Sequence, residues 1–580
     1  MGVSVRKQLL IWGTVFSMAV MPAFASGLSD QPRPLPGVRP SQATVRAWEA
    51  RKVGMFIHFG LYSVAGGMWN GQKIDNGYSE QIMANAPIPK AEYEQLAQRF
   101  DPEKFDPDAI VALARAAGMK FIIVTAKHHD GFNLFQTKVT SYNAVDGTPY
   151  QKDLVKMLAD ACRRGGLAFG VYYSTIDWHH PGGNSYIEGN SNPITPEQEA
   201  FNVSQLKELM TKYGALSEIW FDMGKPTPAQ SAHFASVVHA AQPETMVSGR
   251  VWNHQGDFTV MADNALPRSE VEEPWQAPVS IFKETWGYRS WPKRDHLDDK
   301  IHEQIETLVH VVSAGGNYIL NIGPEGDGSV VPYEADVLKG IGRWLKINGE
   351  AIYGSGRQPF DVLDFGFATV KPGKLYLFVR ELPADGKLRL PGVVGSPFGA
   401  AGVLGQAGPS VKVHGDANGA WIDTSTLPAL KGAFMPVIAV ELKQPLLVRP
   451  DAIAPDANGS VRLMEGSASQ FQNYNGYGYQ ELAKTYKLRW NVSLPAGRYQ
   501  AIVHFNAPIE KTGSIDLVID GVPRTLTLVR GMQSVSTDVA RDTTAFPYAM
   551  QVEVTPKEPF TKAESLPAEI RQVDLVPIKS

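Results

Sequence analysis

Three features of the sequence predict a multidomain chain of mixed class: a (β/α)8-like TIM barrel followed by C-terminal β-sandwich domains. The chain has 580 residues, too many for one hydrophobic core. From about residue 45 to 354, short apolar runs alternate with helix-periodic segments, the pattern of repeated strand–helix units around a parallel sheet. After residue 354, helical periodicity gives way to Gly, Pro and short alternating runs, as in β-sandwiches.

Six runs in the first region read as strands: Val53 to Phe59, Lys120 to Thr125, Ala168 to Tyr173, Glu218 to Phe221, Met246 to Val251 and Tyr318 to Ile322. Most are short, rich in β-branched and aromatic residues, and bounded by Gly. Helices are expected between them. Asp108 to Ala117 places Ile110, Val111, Leu113 and Ala114 on one face, with Asp106 as N-cap and Pro107 in the first turn. Leu154 to Cys162, Gln205 to Tyr213, Ala232 to Ala241 and Ile301 to Val312 have similar spacing. About 300 residues of such units with no dinucleotide fingerprint favour a barrel over a doubly wound sheet.

The domain order expected is a signal peptide at 1–25, a linker at 26–44, the barrel at 45–354, a β-sandwich at 355–445 and a second, carbohydrate-binding-like sandwich at 446–580. The signal peptide rests on Arg6 and Lys7, the apolar run Leu9 to Val20 and the small-residue site Ala23-Phe24-Ala25. It predicts export to the periplasm or medium. No later segment is long and apolar enough to span a membrane. The net charge of −4 and the lack of a Lys/Arg block argue against nucleic-acid partners. The lone cysteine, Cys162, excludes an internal disulfide and reads as a buried helix residue.

In a barrel, chemistry gathers where strands end. Those ends deliver His58; Lys127, His128, His129 and Asp130; Tyr172, Tyr173, Asp177 and Trp178; Trp220 and Asp222; and Arg250. Each type has an ordinary structural use, but their convergence on one rim suits a sugar pocket. Aromatic faces stack on apolar C–H surfaces, while His, Arg and carboxylates bind hydroxyls. No metal or other cofactor is expected. Adjacent residues such as His128 and His129 diverge on an extended chain, and no further ligand set has convincing spacing.

Several motifs, in order, resemble those of the α-L-fucosidases of glycoside hydrolase family 29 over roughly the whole barrel. They are Gly54-Met55-Phe56-Ile57-His58-Phe59-Gly60, Ser79-Glu80, Lys127-His128-His129-Asp130-Gly131-Phe132, Tyr172-Tyr173-Ser174, Trp220-Phe221-Asp222, Ser248-Gly249-Arg250, Trp286-Gly287-Tyr288 and Gly315-Gly316-Asn317 through Pro324. The resemblance implies an exo-acting retaining hydrolase with Asp222 as nucleophile. It also implies fucose contacts by His58, Glu80, His128, His129, Tyr173, Arg250 and Trp286. The implied partner is a fucosylated glycan or oligosaccharide. One position departs. Where many members carry the acid/base Glu, this chain has Gln276, and an amide cannot protonate a leaving group. Glu273 is therefore the expected acid/base, ahead of Glu272, Glu284 and Glu80. A catalytically impaired fucose-binding protein and a hydrolase for a related L-sugar such as an α-L-galactoside are the alternatives.

Overall fold

The computed structural model describes residues 39–181, 192–267, 271, 273–406, 411–416, 419–425, 427, 430, 432–472, 485–509, 512–541, 550–556 and 570–578. The expected signal peptide, most of the expected linker and Glu272 lie outside these residues. Residues 42–44, read from the sequence as linker, belong to the first helix, α1 (Gln42–Arg51), capped by the Ser41 side chain accepting from Thr44 N–H.

Eight parallel strands form the barrel sheet: β1 (Val53–Ile57), β2 (Phe121–Lys127), β3 (Ala168–Ser174), β4 (Glu218–Asp222), β5 (Met246–Val247), β6 (Thr259–Val260), β7 (Trp275–Ser280) and β8 (Asn317–Ile322). Their order is β5-β4-β3-β2-β1-β8-β7-β6, and a parallel bridge from Ser248 to Phe258 joins the two ends. Two of these strands escape the sequence pattern. Strand β6 is two residues long. Strand β7 contains Pro278, opposite Ile319 of β8, and proline inside a run argues against a central strand.

Among the described residues the main helices around the sheet are α2 (Pro107–Ala116), α3 (Leu154–Gly165), α4 (Pro196–Lys212), α5 (Pro228–Ala241), α6 (Leu297–Ser313) and α7 (Pro332–Asn348). Their starts follow local chemistry. Asp106, Asp153, Thr195 and Thr227 each accept from a backbone N–H in the first turn of α2, α3, α4 and α5. Cys162 is buried in α3, where burial pushes its thiol up to about 12. No helix among the described residues is long and apolar enough to cross a membrane.

The barrel interior is filled by Phe56, Phe121, Ile123, Tyr172, Trp220, Met246, Phe258, Val260 and Ile319, with Trp48 and Trp286 packed among them. Two all-β cores follow. One, from Phe360 to Val440, lies between a four-stranded and a three-stranded antiparallel sheet. The other, from Val461 to Leu575, is built from a four-stranded and a five-stranded sheet. Tyr376, Phe378, Met435 and Val437 of the first β region pack with the barrel helices in one apolar cluster, and the Trp344 indole of α7 donates to the Met435 carbonyl (3.2 Å).

Helices α2 and α7 meet at Gly342. A Cβ there would fall 2.0 Å from the Ala116 carbonyl oxygen. Helix propensity favours Ala over Gly by about 1 kcal/mol, but backbone cannot yield as a flexible side chain does. Gly342→Ala should therefore destabilise the barrel by about 1–3 kcal/mol, read as a lower thermal midpoint. An unchanged or raised midpoint would show that the helices separate freely.

Candidate active site

At the C-terminal ends of the strands, His58, Glu80, His128, His129, Tyr172, Trp220, Asp222, Arg250, Asp263 and Trp286 line one pocket. The strand register explains the selection. Glu218, Trp220 and Asp222 alternate along β4, and side chains two apart share a face. Tyr172 lies opposite Trp220 and so faces inward with it.

Asp222 is held at both oxygens. The Tyr172 hydroxyl donates to Oδ2 (2.8 Å) and Arg250 Nη1 to Oδ1 (2.9 Å). The other arm of Arg250, Nη2, donates to Asp263 Oδ1 (2.6 Å) and to the Met261 carbonyl (3.0 Å). Burial works to pull the Arg250 pKa down, but the charges of Asp263 and Asp222 outweigh it and hold it above its ordinary value. The guanidinium also lies over the Trp220 ring, 4.8 Å from its centroid. One fork thus spaces two carboxylates.

The histidines are uncharged hydrogen-bonding groups. Burial pushes His58 down to about 4, His129 down to about 3 and His128 well below its ordinary value. Their neighbours fix two tautomers. Asn321 Nδ2 donates to the Trp286 carbonyl (2.6 Å), so its Oδ1 accepts from His58 Nδ1 (2.7 Å). The Ser174 hydroxyl donates to the Ile176 carbonyl (2.9 Å), so its oxygen accepts from His129 Nδ1 (2.8 Å). In both rings Nε2 is left as an acceptor for a hydroxyl proton. His128 Nδ1 is buried, with no hydrogen-bond partner among the described residues. Glu80 Oε2 accepts from the N–H groups of Trp286 (3.1 Å) and Gly287 (2.8 Å), and burial pushes its carboxyl up to about 7.

Several sequence expectations need correction. Tyr173 faces away from the pocket, and its hydroxyl bonds Asn202 (2.8 Å) and Gln205 (2.7 Å) of α4; its neighbour Tyr172 takes the pocket position. Glu273 lies at the opposite end of the barrel, before β7, accepting from the Thr259 hydroxyl at the start of β6 (2.6 Å). Glu284 is exposed and does not line the pocket. Gln276 lies below the pocket floor, taking the Trp220 indole N–H (2.9 Å) and donating to Glu218 (3.1 Å). An amide there leaves the carboxylates of the pocket untouched. His128 and His129 do not diverge. Strand β2 ends at Lys127, the alternation stops with it, and the two rings sit 3.9 Å apart. Asp263, which the sequence pattern missed, follows the unrecognised strand β6. Among the described residues no group of three or more His, Cys, Asp or Glu side chains is arranged to hold a metal ion.

A pocket walled by aromatic rings, with a second carboxyl held beside the first, is equipped to break a glycosidic bond. The barrel and its site define a glycoside hydrolase. The sequence profile of the family described as Alpha-L-fucosidase matches residues 38–350. An α-L-fucosidase of Branchiostoma floridae is 30% identical over 69% of this chain and 91% of its own. The tissue α-L-fucosidase of Rattus norvegicus is 32% identical over 62% and 79%. Among solved structures, an α-L-fucosidase from Vibrio sp. strain EJY3 superposes with a TM-score of 0.64 at 25% identity, over 93% of this chain and 99% of its own. A family 29 α-L-fucosidase from Bacteroides thetaiotaomicron, trapped as a covalent intermediate with 2-fluoro-fucosyl fluoride, gives 0.62 at 26% identity over 71% and 99%. The chain belongs to the α-L-fucosidases of glycoside hydrolase family 29.

Two predictions follow from the site's electrostatics. Dialysis against a chelator should leave activity unchanged, because the Nδ1 atoms of His58 and His129 are already bound to Asn321 and Ser174; stoichiometric metal whose removal abolishes activity would overturn this. The second concerns stability. Burial pushes Glu80, Asp130 and Glu218 up to about 7 and Glu334 up to about 8. The folded state therefore keeps protons that the unfolded chain has released. Above the ordinary histidine pKa of 6.5 the buried histidines are neutral in both states and drop out. Stability should fall as pH rises from about 6.5 to about 7.5, by up to roughly 1.4 kcal/mol per pH unit for each proton held; nearer pH 8 the buried Lys52 and Lys127, pushed down to about 8, act in the opposite sense and end the decline. Thermal midpoints measured across that range should decline, and Glu80→Gln should make the decline shallower.

Proposed function

We propose that the chain is an exo-acting retaining α-L-fucosidase that removes terminal α-L-fucose from glycans or oligosaccharides through a covalent glycosyl-enzyme at Asp222, with Asp263 as acid/base. The observation that carries this is the Arg250 fork, which holds both carboxylates at one pocket. A retaining pair needs its carboxyl groups roughly 5–5.5 Å apart, and neighbouring arms of one planar guanidinium impose a spacing of that order. The covalent intermediate of the Bacteroides thetaiotaomicron relative supports the same chemistry here.

In this reading Asp222 Oδ1 or Oδ2 attacks the anomeric carbon as the bond to the leaving oxygen breaks. That oxygen takes its proton from Asp263, which in this reading carries one when the substrate is bound. Asp263 then removes a proton from water as the water displaces Asp222 from the sugar. The division of roles follows exposure. The Asp222 side chain is 7% exposed and that of Asp263 26%, so the acid stands on the side where the aglycone departs and solvent arrives. Tyr172 and Arg250 disperse the charge on Asp222. His58 and His129 accept sugar hydroxyl protons at Nε2, and Trp286 and Trp220 supply apolar faces. Export to the periplasm or medium is part of the proposal, supported by the basic–apolar–small order of the first 25 residues.

The leaving-group dependence tests the assignment. Asp222→Gly should lower turnover by several orders of magnitude on every fucoside, with azide restoring turnover and yielding a β-fucosyl azide. Asp263→Ala should lose about a hundred- to ten-thousandfold on fucosyl-oligosaccharides while largely sparing an activated aryl fucoside. An Asp222→Gly enzyme of near-normal activity would end the nucleophile assignment. If Glu80→Gln rather than Asp263→Ala separates the two substrates, Glu80 is the acid.

A further inference from the structure

We propose that Gln276 is a positioning residue for the nucleophile: its amide pins the Trp220 indole against which both partners of Asp222 are packed. The inference rests on the reading of Asp222 as nucleophile. Gln276 is fully buried and spans the barrel interior from β7 to β4. Its Oε1 accepts the indole N–H of Trp220 (2.9 Å), and its Nε2 donates to Glu218 Oε2 (3.1 Å). The indole, so fixed, has the Arg250 guanidinium 4.8 Å from its ring centroid and the Tyr172 ring stacked at 5.7 Å. Those two side chains supply the two hydrogen bonds to Asp222. Gln276 therefore acts two contacts away from the sugar, through a rigid aromatic plate.

The choice of an amide has a physical reason. An indole N–H needs an acceptor, and Glu218 Oε2 needs a donor. A glutamine meets both demands at any pH. A carboxyl meets both only while protonated. The facing groups sharpen this. Glu218 of β4 is the only charged side chain in hydrogen-bond contact with Gln276 among the described residues, and Arg51 of α1 acts on Glu218 from behind. The register partners on β6 and β8 are the uncharged Val260 and Asn317, and Arg250 lies beyond the indole. Burial pushes Glu218 up to about 7, so a second ionised carboxyl beside it would be resisted strongly.

The test uses the full-length enzyme and an aryl fucoside. Gln276→Met keeps the volume and removes both hydrogen bonds. It should lower kcat about 10- to 100-fold, the scale of a small misplacement of reacting groups, with KM within a few-fold of wild type. In an Asp222→Gly background rescued by azide, the same substitution should have no further effect, because no nucleophile remains to be positioned. General damage would lower the rescued rate by the same factor. Gln276→Glu covers the case in which the Met variant folds poorly. Its rate relative to wild type should be near one at pH 5 and should fall as pH rises to 8. A wild-type kcat in Gln276→Met, an equal loss in the azide-rescued background, or a Gln276→Glu ratio that stays near one to pH 8 would each overturn the assignment. An active Asp222→Gly enzyme would instead remove the nucleophile reading on which the inference rests.

Discussion

The Arg250 guanidinium, clamped between Asp222 and Asp263 and laid on Trp220, is the interaction on which the rest of the site depends. Taking a cation out of water at the mouth of a barrel is costly unless it is paired and hydrogen-bonded. Here two carboxylates and the Met261 carbonyl meet that cost. In return the arginine fixes three things at once: the charge on Asp222, the distance to Asp263, and the orientation of the loops after β5 and β6. Lysine would be a poor substitute, because a point charge on a flexible stem has no two arms with which to space two partners.

Around this charged centre the pocket is otherwise neutral. Three buried histidines have lost their basicity to desolvation, and for two of them, His58 and His129, the amide of Asn321 and the hydroxyl of Ser174 fix which nitrogen is the free acceptor. A glycosidase that must hold a growing positive charge on a sugar ring gains from this arrangement. Cationic histidines would oppose the developing charge, whereas neutral ones bind hydroxyls without doing so. The same burial explains the raised carboxyl of Glu80, which is held by two backbone N–H groups rather than by a countercharge.

Much of the fold was legible because β-branched and aromatic runs bounded by glycine are a strong signal for β1 to β4 and β8, and because Asp106 and Pro107 announce α2 so plainly. Strands β6 and β7 were not. One has too few residues to show alternation and the other carries Pro278, so both the strand and the Asp263 that follows it passed unnoticed. The Tyr172–Tyr173 pair shows a second limit. Two adjacent tyrosines are equivalent to a motif, and only the register against Trp220 decides which faces inward. Gln276 was misplaced for a related reason: a local match to Trp-Gly-Tyr flanking sequence says nothing of depth along the strand. Glu273 then inherited a role from proximity in sequence, although it precedes β7 and the pocket lies beyond the strand's other end.

The barrel's closure is uneven, and the unevenness falls at the active site. Most strands run five to seven residues, but β5 and β6 have two each and meet through the bridge from Ser248 to Phe258 and two hydrogen bonds between Val247 and Asp257. Segments with few backbone hydrogen bonds open at lower free energy than the global fold. The side chains delivered just past this seam are Arg250 and Asp263. Where local opening precedes global unfolding, it is therefore expected to begin at this joint, and amide exchange along residues 246–261 is its readout.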